Sequence, residues 1–177
     1  IYNVQNNQVY GEDHFTFFST PFKLREAALQ KYPEVKNASR YSDESVTISL
    51  GDKHLAKNGG YVDSSFLSMF GISLLRGQAS SALNQPGQIA VSRKLALAYF
   101  GSIDVMGKSL LVDKEPYTIK AVFDDLPENM QFSFDLLLPF ESYYKKYIAY
   151  DSWGNNITET WVQLQPGVQL ATFNEKL

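Results

Sequence analysis

The sequence predicts an α+β fold, a mixed domain in which short helices pack on small sheets. Segments typical of strands are interleaved with short capped helices, but they lack the regular strand–helix alternation of a doubly wound sheet. The 177 residues include 44% hydrophobic and 20% charged side chains, which is typical of an ordinary globular protein. A chain of this length accommodates one large domain or two small lobes.

The clearest local signals lie between residues 88 and 139. Ser92 precedes a helix predicted over Arg93–Phe100, and its hydroxyl can accept a hydrogen bond from the first turn. Gly101 follows at the position where a left-handed C-cap residue is favoured. Two apolar segments, 110–112 and 117–123, are separated by a polar turn, so they predict a hairpin.

The first third of the chain also contains start and stop signals for helices and strands. Thr20 followed by Pro21 predicts the beginning of a helix, and Pro33 ends it. Residues 35–50 alternate between apolar and polar side chains towards their end, which indicates a half-buried strand. Asp63 is expected to cap a short helix that ends at Gly71.

The remaining elements follow from the same rules. The predicted strands are 55–62, 72–75, 132–138 and 159–164, with a further strand within 1–18, and the predicted helices are 140–150 and one that begins at Val168. The segment Ala79–Gly87 is rich in Ser, Asn, Gln, Pro and Gly, so it is a candidate crossing between lobes.

Composition excludes several classes of function. The net charge is −3 and the basic residues are scattered, so there is no basic stripe for a nucleic acid. The absence of cysteine excludes disulfides and thiolate chemistry. The apolar runs are far shorter than the ~20 residues that a membrane-spanning helix needs. The chain begins at Ile1 without a signal peptide, and we expect it to be part of a longer protein.

No residue pattern indicates an active site. His14 and His54 lack the spacing of a metal pair, and the glycines match neither a P-loop nor a dinucleotide fingerprint. The densest acidic cluster consists of Asp124, Asp125, Glu128 and Asp135. These carboxylates lie in or beside a loop that lacks the ligand spacing of a calcium site, so turn residues are the favoured interpretation. We therefore expect that the chain binds no cofactor or metal and is not an enzyme.

One aromatic group is a candidate contact surface for a partner or cargo. Its members share a short stretch of sequence: Tyr143, Tyr144, Tyr147, Tyr150 and Trp153. Tyrosine suits wet interfaces because one ring combines apolar area with a hydroxyl. The simpler interpretation, which we favour, is a helix that packs one tyrosine face onto the core.

Three segments resemble a known family. The capped helix that ends in YFG, the following GKSLLVD, and YTIKAVFDDLPENMQFSFDLLLPF are similar to the extracytoplasmic core domain of MacB-like, or FtsX-like, ABC-transporter permeases. Upstream, GGYVDSSFLSMFGISLLRGQ resembles the same family, as does the strand at 160–164 with its Gln-Pro-Gly turn. The motif positions are structural and include Gly71, Gly77, Gly101, Gly107 and Pro127.

The resemblance implies two lobes and a transport role. The first lobe would comprise residues 1–85, completed by 167–177, and the second, 86–166, would be an insertion. The chain would be a non-catalytic periplasmic domain of an inner-membrane permease that relays cytoplasmic ATP hydrolysis into movement. Its partners would be an ABC ATPase subunit or domain and a second permease subunit, as a dimer.

Two alternatives come from other classes of function. An extracellular peptide- or glycan-binding module would use the tyrosine-rich segment, and a saturable change in tryptophan fluorescence on titration would favour it. A hydrolase would use the acidic loop and would lose activity on Asp124→Asn or Asp125→Asn.

Overall fold

A computed structural model of the chain describes residues 1–127 and 129–176. The strands are β1 (Tyr2–Asn3), β2 (Asn6–Tyr10), β3 (Asp13–Phe17), β4 (Ser19–Thr20), β5 (Val35–Leu50), β6 (Lys53–Val62), β7 (Leu74–Gly77), β8 (Gln88–Ser92), β9 (Ser109–Val112), β10 (Glu115–Phe123), β11 (Leu136–Pro139) and β12 (Thr158–Leu164). The helices are α1 (Leu24–Lys31), α2 (Phe66–Met69), α3 (Arg93–Phe100), α4 (Phe140–Tyr147) and α5 (Leu170–Asn174), and a 3-10 turn covers Ile148–Tyr150. This mixture of short helices and sheets confirms the predicted α+β class.

The chain forms two compact units. Unit 1 comprises Ile1–Arg40 and Tyr147–Leu177, and unit 2 comprises Tyr41–Lys146. Strand β5 contributes its first residues to unit 1 and the remainder to unit 2. Among the described residues, no helix has the length and apolar character to cross a membrane.

Unit 1 is organised around β12. Strands β1 and β4 pair antiparallel with different parts of β12, so that Tyr2 lies opposite Val162 and Thr20 opposite Thr158. Helix α1 packs on the same strand. The buried core is small and apolar, and its members are Ala28, Val35, Ala38, Val162 and Phe173.

Strands β2 and β3 form a separate antiparallel hairpin in unit 1. Gln8 pairs with Phe15 and Asn6 pairs with Phe17. Residues that face each other across antiparallel strands project from the same side of the sheet. Tyr10, Phe15 and Phe17 make consecutive ring contacts on that side, and all three side chains are exposed.

Unit 2 contains a mixed sheet with the strand order β5-β6-β11-β8-β10-β7. Strand β8 pairs parallel with β10, and the chain between them includes α3 and the hairpin strand β9. The sheet is closely packed at Gly60, where an added Cβ atom would lie 2.8 Å from Cδ2 of Leu137 and 3.1 Å from Cε2 of Tyr41. The glycines in β6 thus make room for aromatic packing.

The α3 signals are confirmed in full. The Ser92 hydroxyl accepts a hydrogen bond from the Leu95 N–H at 3.1 Å, and Gly101 occupies the left-handed C-cap with φ 67°. The predicted hairpin is also present as β9 and β10, joined through Asp113 and Lys114 with positive φ angles.

The predicted beginning of α1 at Thr20 is wrong. Thr20 belongs to β4, and its hydroxyl bonds the Thr158 carbonyl at 3.0 Å and the Thr160 hydroxyl at 2.8 Å. The helix begins four residues later, after Lys23. Pairing of β4 with β12 places Thr20 in a strand, and its hydroxyl contacts β12 instead of the first turn of α1, so the local signal was misleading.

Other elements also begin or end differently from the prediction. Helix α2 starts only at Phe66, whose main-chain N–H donates a hydrogen bond to the main-chain carbonyl of Asp63. Strand β11 is shorter than predicted, because Phe132 and Phe134 turn into an aromatic core with Tyr41 and Phe66 before the strand begins. The helix predicted over residues 140–150 is α4 followed by the 3-10 turn.

The two compact units divide the chain at residues 40 and 146, whereas the resemblance implied lobes divided at residues 85 and 166. The segment Ala79–Gly87, expected as a crossing between lobes, lies within unit 2. The lobe boundaries stay a prediction. The last residue of the first lobe, Leu177, lies outside the described residues.

Gly101 and Gly77 both have positive φ angles, but only one of the two positions has space for a side chain. An added Cβ atom at Gly101 would meet no atom within 4 Å, whereas at Gly77 it would lie 2.3 Å from the Lys120 carbonyl oxygen. We expect Gly101→Ala to destabilise the fold by about 1 kcal/mol, the cost of a left-handed alanine. Gly77→Ala should cost more, roughly 2–5 kcal/mol, because overpacking adds to that strain. Chemical denaturation measures both values, and equal losses would contradict the packing at Gly77.

Candidate binding site

The tyrosines of α4 that belong to unit 2 are mostly structural. Tyr143 is only 8% exposed and packs against Tyr61 and Phe140, with ring centroids 5.3 and 5.6 Å away. Tyr144 is half-buried. On this part of the helix, the aromatic side chains support the core rather than form an open surface.

The other three members of the predicted aromatic surface belong to unit 1. Tyr147 is half-buried and its ring lies 6.3 Å from that of Tyr150. Tyr150 and Trp153 are 52% and 56% exposed. Trp153 is therefore an accessible indole, and it lies at a cleft described below. The use of all five residues as one surface stays a prediction.

The described members of the acidic cluster serve the local structure. Asp124 forms an ion pair with Arg93 at 3.1 Å. Asp125 accepts a hydrogen bond from the main-chain N–H of Lys94, at the beginning of α3. Asp135 lies 3.8 Å from the Lys57 ammonium. Glu128 lies outside the described residues. These contacts favour the interpretation as turn and capping residues.

The predicted structural positions have the backbone that their motifs suggest. Gly71, Gly77, Gly101 and Gly107 all have positive φ angles. Pro127 lies in the loop before β11, where its carbonyl accepts a hydrogen bond from Met130. Within the described part of the chain, no group of three or more His, Asp or Glu side chains could hold a metal ion.

A cleft in unit 1 is a candidate binding site among the described residues. Its volume is about 860 Å³, within the range of small-molecule sites. Seven of its seventeen lining residues are Asn or Gln, and the segments that supply them are 3–8, 156 and 174. Leu24, Val162 and Phe173 add apolar surface, and Trp153 and Tyr2 add aromatic surface.

The amide of Asn3 is held in one orientation. Its Nδ2 donates to Oε2 of Glu159 at 2.9 Å, and the same oxygen accepts from Nε1 of Trp161 at 3.0 Å. Oδ1 of Asn3 is shielded from solvent and accepts no hydrogen bond from the described residues, and the same is true of Oδ1 of Asn156. An unsatisfied buried acceptor is unfavourable, so both oxygens can gain from a donor.

The described lining residues of the cleft include no charged side chain. Elsewhere, a side-chain hydrogen bond from Lys176 lowers the pKa of Glu34, and burial raises the pKa of Tyr99. Neither residue lines the cleft. The cleft thus offers hydrogen bonds and aromatic faces without ionic attraction.

Sequence reasoning missed this cleft, although it selected Trp153. The available signal was the amide-rich run from Asn3 to Gln8, which was assigned to a strand within residues 1–18. The residues that complete the cleft come from the opposite end of the chain. Their proximity depends on the pairing of β1 with β12, which no local pattern reveals.

The comparison with protein families decides the identity of the domain. The sequence matches the family described as MacB-like periplasmic core domain over residues 1–177. The chain belongs to this family. MacB-like periplasmic core domains are the periplasmic domains of MacB-like ABC-transporter permeases.

Solved structures show the same fold for this MacB-like periplasmic core domain. A domain of a putative permease protein from Porphyromonas gingivalis is 28% identical with a TM-score of 0.81, covering 98% of this chain and 75% of that one. The periplasmic region of MacB from Actinobacillus actinomycetemcomitans is 15% identical with a TM-score of 0.71, covering 90% and 72%. The extracellular domain of the noncanonic ABC-type transporter YknZ from Gram-positive bacteria is 15% identical with a TM-score of 0.62, covering 87% and 78%. Among curated proteins, none matches the sequence significantly.

In this MacB-like domain, Tyr143 is a buried tyrosine of the core, whereas Tyr150 lies at the surface. We expect Tyr143→Ala to destabilise the fold by about 3–5 kcal/mol, because it empties a packed site beside two rings. Tyr150→Ala should stay within about 0.5 kcal/mol, because the side chain is exposed. Urea denaturation of both variants gives the comparison, and a near-neutral Tyr143→Ala would contradict the packing.

Proposed function

We propose that the chain is a non-catalytic extracytoplasmic domain of an inner-membrane ABC-transporter permease, and that it couples cytoplasmic ATP hydrolysis to movement outside the membrane. Membership of the MacB-like periplasmic core domains supports this function. The likeness to a domain of a putative permease, at 28% identity, agrees with it. An ABC ATPase subunit or domain and a second permease subunit, in a dimer, complete the proposed assembly.

The observation that carries the proposal is the pairing, within unit 1, of the N-terminal strand β1 with β12 from the C-terminal part of the chain. Tyr2 and Asn3 of β1 pair with Val162 and Trp161 of β12. The Val4 N–H also donates to the Thr160 carbonyl at 2.9 Å. Because the two terminal segments belong to one hydrogen-bonded sheet, displacement of either segment is passed to the other.

This connection suits rigid-body transmission. In the proposed permease, membrane segments on both sides of the domain would move unit 1 as one body. Helix α1 and the apolar core around Val162 and Phe173 stiffen the sheet that joins the ends. A domain that transmits movement needs a packed interior rather than catalytic side chains.

The non-catalytic part of the proposal is supported by the contacts of the acidic loop. Asp124, Asp125 and Asp135 each pair with a cation or a main-chain N–H. We expect the purified 177-residue chain to release no phosphate from ATP and Mg²⁺ above a protein-free blank. Phosphate release that persists after further purification would contradict the proposal.

The coupling itself is testable in the full permease with its ATPase, reconstituted in nanodiscs. The chain contains no cysteine, so single labels can be introduced in it without background. Exposed sites are available in each unit, at Gln30 on α1 and Leu97 on α3. Gln30→Cys or Leu97→Cys carries a spin label, and pulsed electron paramagnetic resonance measures the distance between the two copies.

We expect ATP with vanadate to shift the distance between labels at Gln30 by a few ångströms or more, as in other rigid-body transitions. A hydrolysis-deficient ATPase partner, supplied with ATP alone, is the control that separates nucleotide binding from turnover. Distances that are the same with and without nucleotide at both sites would contradict coupling. Loss of the dipolar signal between copies would contradict the dimer.

A further inference from the structure

We infer that the cleft of unit 1 binds an uncharged oligosaccharide. The site is the cleft lined by the amides of residues 3–8 and by Trp153 and Asn156. Its volume of about 860 Å³ can hold several sugar rings. This ligand is independent of ATP-driven coupling, so the inference and the proposed function can fail separately.

The amide acceptors favour a ligand with many hydroxyl groups. Glu159 holds the Nδ2 side of Asn3, and Oδ1 of Asn3 is shielded from solvent without a hydrogen bond from the described residues. Asn156 contributes a second shielded acceptor without a partner. Other amides of the lining, such as Gln5 and Asn174, are exposed, and an amide and a saccharide hydroxyl can each donate and accept hydrogen bonds.

The aromatic side chains suit the other surface of a sugar. Trp153 is 56% exposed and Tyr2 is 41% exposed, and both line the cleft. A flat ring presents apolar area to the C–H face of a pyranose, and the tyrosine hydroxyl remains available for polar contact. Amide groups combined with accessible rings thus match both faces of a sugar.

The ligand is inferred to be uncharged because the described lining contains no Asp, Glu, Lys, Arg or His. Removing a charged group from water without a partner is strongly unfavourable. Acidic polysaccharides and charged peptides are therefore poor ligands for this cleft. Binding by hydrogen bonds and stacking alone should depend little on ionic strength.

A peptide fits less well, because the strand edge at the cleft is short. Extended peptides are commonly bound by adding a strand to a sheet edge. Strand β1 is the terminal strand of its sheet and contains only Tyr2 and Asn3. Two residues offer few main-chain hydrogen bonds, so side-chain amides must provide the recognition.

The hairpin offers a continuation of the site for a longer chain of sugars. Asn6 and Gln8 line the cleft, and their cross-strand partners Phe17 and Phe15 lie on the same side of the hairpin. Tyr10 extends the row of rings. An oligomer that leaves the cleft can therefore stack along this exposed side.

The test uses the 177-residue chain with four neutral oligosaccharides: maltohexaose, cellohexaose, mannohexaose and N-acetylated chitohexaose. Isothermal titration calorimetry measures affinity, and saturation-transfer NMR shows which sugar protons contact the protein. We expect saturable binding of at least one oligosaccharide, with the same affinity at low and high salt. A neutral extended hexapeptide is titrated in parallel.

Variants locate the binding in the cleft. Trp153→Ala should weaken it at least about tenfold, because it removes the exposed aromatic face. Asn156→Leu should weaken it as well, whereas Trp153→Phe should retain part of the affinity. Tyr150→Ala is the matched control, because Tyr150 is an exposed aromatic in the same stretch that does not line the cleft. Circular dichroism melts show whether each variant is folded.

Three results would overturn the inference. The first is the absence of saturable binding for all four oligosaccharides. The second is oligosaccharide binding that a folded Trp153→Ala variant retains. The third is binding of the hexapeptide, lost in Trp153→Ala, without binding of any sugar, which would make the cleft a peptide site.

Discussion

Strand β12 is the constraint on which unit 1 depends. It pairs with β1 at one part of its length and with β4 at another, so it holds two separate parts of the chain. The hydroxyl groups of Thr20 and Thr160 meet 2.8 Å apart in the buried interior of this arrangement. Hydrogen bonds of this kind are worth most where water is absent. Without this strand, neither the joining of the chain ends nor the cleft would exist.

Strand β12 also contributes polar and apolar side chains in or beside the candidate site. Glu159 of β12 lies beyond the end of β1, and its carboxylate accepts a hydrogen bond from the Asn3 amide. Val162, three residues along, contributes apolar surface to the cleft. Val162 belongs to the buried core and also lines the cleft, whereas Glu159 projects from the opposite face of the sheet. The proposed transmission and the inferred ligand binding are compatible, because both would use the rigidity of this one sheet.

The sequence predicted most accurately those features that depend on neighbouring residues. Ser92 and Gly101 cap α3 because their conformations are set within one turn of the helix. Thr20 had an equally good local signal, but its hydroxyl bonds residues about 140 positions away. Phe132 and Phe134 satisfied a strand pattern, yet aromatic contacts with Phe66 determine where they lie. Tertiary contacts overrode propensity at these positions.

The candidate site shows the same division. Trp153 was selected as a member of a concentrated aromatic group, whereas the sequence does not reveal that the amides of residues 3–8 lie near residues 153–174, because that proximity depends on the pairing of β1 with β12. The family was indicated by a resemblance in sequence and not by catalytic or ligand-binding residues. The positions that carry this resemblance are structural glycines such as Gly77. An added Cβ atom there would strike the backbone of β10, which explains why the position requires glycine.

The sequence of the parent reading frame on both sides of this chain tests the central claim most directly. A permease domain requires an apolar span of about 20 residues shortly before Ile1 and further spans after Leu177. The account expects this arrangement, with both spans joined to unit 1. A cleavable signal peptide before Ile1 and a stop codon soon after Leu177 would contradict it and would leave a secreted binding module.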